Sequence, residues 1–233
     1  MKPPSAPSRF VLVGPPGAGK GTQAAWMSSR LGIPTISSSE TLRRAVSIDS
    51  PLGRTVKSLM STGELVSDDV MNELIRQRLT EADAAAGFVL DGFPRTVAQA
   101  EALDRFAGEP PIVVVALHVP EAEIEQRLAS RRVCGRCRTP QSVSSQNSGQ
   151  RNCAYCGATL EQRDDDDEST IKRRLFVYRN RVGPLLDYYK RRSRLITIDG
   201  SAAPHEVSAA VARQIALYGA GQTVTDVRTP RRR

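Results

Sequence analysis

Two groups of residues in this sequence have the types and spacing that chemistry requires. The first is Gly14-Pro15-Pro16-Gly17-Ala18-Gly19-Lys20-Gly21-Thr22. Glycines at this density let the backbone curl until successive N–H groups face one anion, and a helix opening at the lysine adds partial positive charge. The Gly-x4-Gly-Lys spacing follows an apolar run and precedes a helical pattern. That is the context of a loop cradling nucleotide phosphates, with Lys20 reaching the outer ones. A Ser or Thr commonly follows the lysine and holds Mg²⁺, but here Gly21 follows and Thr22 comes next. Mg²⁺ is therefore expected to be held less directly.

The second group is Cys134-x2-Cys137 and Cys153-x2-Cys156, two pairs separated by 15 residues. Each pair predicts a knuckle that places two thiolates on one metal, and two knuckles complete a tetrahedron. The chain has 4 cysteines, so none is left over. Disulfides are the weaker reading in the intracellular setting expected here. Four protein ligands leave no open position, so the expected Zn²⁺ is structural.

These groups need a frame. Five β-rich runs, Phe10–Val13, Ile33–Ser37, Phe88–Asp91, Ile112–Val119 and Leu195–Ile198, alternate with helical patterns. That alternation predicts βαβ units and a mainly parallel sheet. Asp91 ends an apolar strand, where an acid can orient Mg²⁺ or its waters; a turn-capping aspartate is the plainer alternative. A stripe from Ile171 through Leu175, Tyr178, Val182 and Leu185 to Tyr189 predicts a long helix. Pro184 inside it is expected to kink or break that helix. Residues 38–66 read as two helices with no strand between them. Residues 131–167 are polar and carry all four cysteines, and without support they would form an irregular loop.

Length and charge bound the rest. The chain has 233 residues, 39% of them hydrophobic, which suits one α/β domain with modest insertions. No apolar stretch approaches a membrane span and the first residues lack a signal-peptide core, so a soluble, cytoplasmic protein is expected. The net charge is +8, of which residues 226–233 supply +3 through four arginines and one aspartate. Nucleic-acid binding is one reading of that balance and a solvated tail the other. The tail has no aromatic residue to stack on a base.

The loop Gly14 to Thr22 resembles the start of the adenylate kinase family, and Asp91-Gly92-Phe93-Pro94-Arg95-Thr96, followed by Gln99, resembles a second signature of that family. The resemblance extends from about Arg9 to Tyr218. It implies a P-loop fold with a five-stranded parallel sheet flanked by helices, a helical insertion that binds a nucleoside monophosphate, and a zinc-binding lid. The expected boundaries are core at 1–37, 67–130 and 168–220, flap at 38–66, lid at 131–167 and a basic tail at 221–233.

The resemblance also implies roles. Lys20 and the loop Gly14, Pro15, Pro16, Gly17, Ala18, Gly19, Gly21 and Thr22 would hold ATP, with Arg127 packed on its base. Ser38, Arg43, Leu65, Val66, Gly92, Arg95 and Gln99 would hold AMP. Arg95, Arg131, Arg163 and Arg174 would surround the transferred phosphate with Lys20 and Asp91. Arginine suits this because its fork binds phosphate at two points and keeps its proton. Taken singly, arginines on helices are usually solvated. Asp165 and Asp166 resemble an acidic pair joining lid and core, although a run of five acids also reads as a solvated face.

Two departures from the family pattern stand out. Arg138-Thr139-Pro140-Gln141-Ser142 replaces an aromatic–His step in the lid, and Ser38-Ser39-Glu40 replaces the common Thr-Gly-Asp. The Gln99 amide matches adenine in one orientation and guanine when flipped, so the base stays open on this residue alone. The expected activity is reversible transfer of the terminal phosphate of Mg·ATP to AMP by a monomer. The alternatives are another nucleoside monophosphate as acceptor, or a zinc-knuckle protein that binds nucleic acid.

Overall fold

The computed structural model describes residues 8–47, 51–61, 66–137, 139–143, 151–162 and 168–220. Leu65, Arg138, Arg163, Asp165, Asp166 and the tail 221–233 lie outside the described residues. Five strands, β1 (Arg9–Val13), β2 (Thr35–Ser37), β3 (Phe88–Asp91), β4 (Val113–His118) and β8 (Leu195–Asp199), form one sheet in the order β2-β3-β1-β4-β8. Every pairing in it is parallel. The strands match the β-rich runs of the sequence: β3 is identical, β2 and β4 are shorter, and β1 and β8 each gain one residue. Ile33 and Pro34 precede β2, since Pro34 has no N–H to give to a ladder.

Side chains alternate across this sheet. Phe10, Leu12, Val113, Val115 and Leu117 enter a core on one face with Met27, Leu128, Leu175 and Val211. Val11, Val13, Leu90 and Val114 enter the other with Met71, Ile75, Leu103 and Tyr189. Burial on both faces explains why the central strands β1, β3 and β4 read as continuous apolar runs. Each such side chain contributes about 1.5–3 kcal/mol of transfer free energy.

The flanking helices are α1 (Lys20–Leu31), α4 (Asp68–Leu79), α5 (Val97–Ala107), α6 (Glu121–Ser130), α7 (Glu168–Lys190) and α8 (Pro204–Gly219). Two more, α2 (Ser38–Ser47) and α3 (Pro51–Ser61), follow β2 with no strand between them, as the sequence suggests. Of the kink or break expected at Pro184, the break does not occur: α7 is one helix through that residue. Pro184 and Asn180, whose carbonyl loses its partner, are both exposed, so solvent can take the lost bond. Beyond α7, Arg194 donates to both oxygens of Asp104 at 2.9 and 2.6 Å, and Tyr188 donates to the same carboxylate at 2.7 Å. This ties the end of α7 to α5.

The polar segment after α6 contains a second sheet that the sequence did not suggest. Strand β5 (Arg131–Cys134) pairs antiparallel with β6 (Pro140–Ser142) and β7 (Leu160–Glu161). Such strands are too short and polar to show a hydrophobic period. Among the described residues, no helix is long and apolar enough to cross a membrane.

Because the five core strands run in one direction, their C-terminal ends share one edge. In register, Leu12 and Ser37 each lie opposite Asp91, and His118 lies opposite Asp199. Ligands of open parallel sheets bind at this edge.

Candidate functional site

The Gly14–Thr22 loop leaves β1 at this edge. Gly19 caps α1 in the left-handed region at φ 90°, which is why a glycine stands before the lysine. Lys20 opens the helix, and its Nζ donates back to the carbonyls of Gly14 at 2.8 Å and Pro15 at 2.9 Å. Burial pushes its pKa down from 10.5 to about 8; Asp91 opposes this, while Arg95, Arg174 and Arg131 add like charge. One carboxylate and three arginines from separate elements therefore act on one ammonium.

Asp91 ends β3 beside this loop: a Cβ added at Gly21 would lie 3.8 Å from Asp91 Oδ2. An acid next to the first turn of α1, with the exposed Thr22 one residue on, is a donor set of the oxygen chemistry that Mg²⁺ takes. The following Gly92 has φ 84°, and a side chain there would meet Ser38 Oγ at 2.5 Å and Arg95 Nη2 at 3.3 Å. Only glycine lets the buried Ser38 and the exposed Arg95 side chain both lie this close to the backbone of residue 92. Arg95 Nε donates to Gly92 O at 2.8 Å, bending the side chain over its own turn. Its guanidinium pKa is lowered by lost hydration, Asp91 opposing and Arg181 of α7 adding like charge.

Gln99 is buried in the first turn of α5, and each end of its amide has one partner. Its Oε1 accepts from Arg95 N–H at 2.7 Å, and its Nε2 donates to Asp68 Oδ1 at 2.7 Å. Thr96 caps α5 by accepting from Gln99 N–H at 3.1 Å, and its hydroxyl donates to Asp68 Oδ2 at 2.7 Å. Asp68 is thus shared by the start of α4 and the start of α5.

Not all expected residues join the Lys20 group. Arg43 is exposed on α2. Arg127 pairs with Glu123 and donates to Gly200 O at 2.9 Å and Ser201 O at 3.2 Å, joining α6 to the loop after β8. Val66 is half-buried against the core on the Met71–Tyr189 face of the sheet. Leu65 and Arg163 are outside the described residues.

The four cysteine sulfurs lie within 4.8 Å of one another, with Cys134–Cys156 at 3.4 Å and Cys137–Cys153 at 3.6 Å. The edge of a tetrahedron with ~2.3 Å metal–sulfur bonds is about 3.8 Å. Cys137 N–H donates to Cys134 Sγ at 3.3 Å, and Tyr155 N–H to Cys153 Sγ at 3.4 Å, as knuckles wrapped around thiolates require. Gln141 Nε2 donates to Cys153 Sγ at 3.0 Å. The cluster is compatible with zinc.

Sequence reasoning missed three of these residues. Asp68 reads as an ordinary first-turn acid after the N-cap Ser67, Arg181 as a solvated helix arginine, and Gln141 as loop. Only Asp68 left a signal, since Ser67-Asp68-Asp69 marks the start of α4 at the same edge as Thr96.

Strand order, phosphate loop and clustered cations define a P-loop nucleotide-binding α/β protein. The family model described as "Adenylate kinase" matches residues 12–194. Proteins named adenylate kinase are similar over nearly their whole length. One from Clostridium perfringens (strain 13 / Type A) is 44% identical over 207 residues, covering 86% of this chain and 94% of that protein. One from Thermodesulfovibrio yellowstonii is 44% identical over 203 residues, covering 85% and 94%. One from Methanocella arvoryzae is 44% identical over 207 residues, covering 87% and 96%. This chain belongs to the adenylate kinase family.

In the free protein Lys20 is expected to titrate near pH 8. Asp91→Asn removes the carboxylate that holds the value up, so it should fall further. Nitrogen-detected NMR at Nζ checks both; titration near 10.5 in the wild type would contradict the site's electrostatics.

Proposed function

We propose that the protein transfers the terminal phosphate of ATP to AMP, reversibly, giving two ADP. The observation that supports this best is the convergence of Arg95, Arg131 and Arg174 on Lys20 at the phosphate loop. A site that only held a nucleoside triphosphate would have less use for cations drawn from the turn after β3, from β5 and from α7. A transfer between two phosphate chains brings together charge from both sides.

In this reading an oxygen of the AMP phosphate attacks the γ-phosphorus of ATP. The bond from that phosphorus to the β–γ bridging oxygen breaks, and the electron pair leaves on ADP. No side chain becomes a nucleophile. Lys20 exchanges the Gly14 and Pro15 carbonyls for donor phosphate oxygens, regaining the charge that burial opposes. Arg95, Arg131 and Arg174, with Arg163, hold the equatorial oxygens and offset the charge that spreads there. Arg43 and Arg95 clamp the acceptor phosphate, while Ser38, Leu65, Val66, Gly92 and Gln99 seat the acceptor nucleoside. Arg127 lies beside the donor base. Mg²⁺, when bound with ATP, neutralises phosphate oxygens, and Asp91 and Thr22 are the residues fitted to hold it.

Residues 38–66 and 131–167 act as flap and lid, closing over the two nucleotides to exclude water that would otherwise hydrolyse ATP. The four cysteines hold one structural Zn²⁺, which keeps a segment with little apolar content folded.

The test is initial rates with AMP, GMP, CMP and UMP at saturating Mg·ATP. AMP should give the highest kcat/KM, and Lys20→Met should lower kcat by about two to three orders of magnitude while the fold persists. A higher kcat/KM for another monophosphate would overturn the acceptor; near-normal turnover in Lys20→Met would overturn the phosphate loop. Metal analysis should find about one zinc per chain, bound by sulfur alone. Its removal should melt residues 131–162 below the temperature at which the core sheet melts. An unchanged melting profile after chelation would contradict the structural role.

A further inference from the structure

We propose that Asp68 is a specificity-determining positioning residue, fixing the Gln99 amide in the one orientation that pairs with adenine and not with a 6-oxopurine. The inference rests on the reading of Gln99 as a contact to the acceptor base. The amide is pinned from both ends. Arg95 N–H is a backbone donor and can face only an acceptor, so Oε1 must point toward it. A carboxylate offers only acceptors, so Nε2 must point toward Asp68 Oδ1. Thr96 holds the carboxylate in place through Oδ2, and the same hydroxyl oxygen accepts from Gln99 N–H. The four residues form a closed circuit in which each donor meets an acceptor.

Each end of the amide keeps one valence free. Oε1 has two lone pairs and spends one on Arg95; Nε2 has two N–H groups and spends one on Asp68. What remains is one acceptor beside one donor. That pair matches adenine, whose 6-amino group donates and whose N1 accepts. A 6-oxopurine has the reverse pattern, an accepting oxygen and a donating N1–H. To meet it, Gln99 would have to turn over, setting its carbonyl oxygen against the Asp68 carboxylate and its NH₂ against Arg95 N–H. The flip therefore loses a charge-assisted hydrogen bond and creates two repulsive contacts in a buried setting. A glutamine free to flip does not discriminate; this one is held.

The experiment compares kcat/KM for AMP with that for IMP, which differs from AMP only at position 6 and N1. Both acceptors are tested in the wild type and in Asp68→Asn. The asparagine keeps the shape but can turn either its oxygen or its NH₂ toward Gln99. The AMP/IMP ratio should fall by about tenfold or more, the order expected for losing one charge-assisted hydrogen bond. Because it is a ratio on one sample, it does not depend on the fraction of enzyme that is folded. Asp68→Glu, which retains the carboxylate, should keep most of the preference. In the wild type, one Gln99 Nε2 proton should exchange slowly with solvent, a readout that needs no variant to fold. An unchanged ratio in Asp68→Asn, or two fast-exchanging Nε2 protons in the wild type, would overturn the role of Asp68. A wild type that does not prefer AMP to IMP would instead overturn the acceptor-base reading on which the proposal stands.

Discussion

Everything at this site answers to one constraint, a half-buried ammonium with three guanidinium groups acting on it. Lys20 lies against the carbonyls of its own loop, and burial with Arg95, Arg174 and Arg131 brings its pKa to about 8 against the pull of Asp91. Side chains left to themselves would move apart. They stay because each is fixed by a different element: Lys20 by the first turn of α1, Arg95 by the turn after β3, Arg131 by the start of β5, Arg174 by α7. The parallel register aligns the strand ends, and the apolar cores on both faces of the sheet supply the free energy that holds the cations together. Such a site stores a demand for anionic oxygens, and phosphates meet it.

The cysteine cluster belongs to the same arrangement. Arg131 begins β5 and Cys134 ends it, so one four-residue strand carries a cation of the Lys20 group and a sulfur of the cluster. Its neighbours β6 and β7 are too short to be stable alone. Sulfur ligation at the far end would fix the strand, and with it the arginine. A metal at the cysteines and the phosphate chemistry at Arg131 would then be coupled through the backbone of β5.

Features carried by contiguous residues were legible in the sequence. The phosphate loop, the Asp91–Thr96 turn and the paired cysteines each need a fixed spacing, and the apolar runs of the central strands β1, β3 and β4 reported burial on both faces. Features that arise from packing were not. Pro184 stays within a helix because its surroundings are wet, and the small sheet forms from residues with no apolar alternation. Asp68 and Arg181 are ordinary helix residues until the fold brings α4 to α5 and α7 to Arg95. The orientation of Gln99 is the sharpest case: its identity was plain, but the way its amide faces depends on two partners, one of them 31 positions away along the chain.

If phosphate binding restores the charge that burial opposes at Lys20, the protein must take up a proton as the nucleotide binds. Proton uptake on binding a non-hydrolysable ATP analogue measures this directly. Calorimetry at about pH 9, in two buffers of different ionisation enthalpy, should show uptake approaching about one proton per site in the wild type and none in Lys20→Met. Equal heats in both buffers for the wild type would mean that Lys20 is already charged before the phosphates arrive, and would contradict the account.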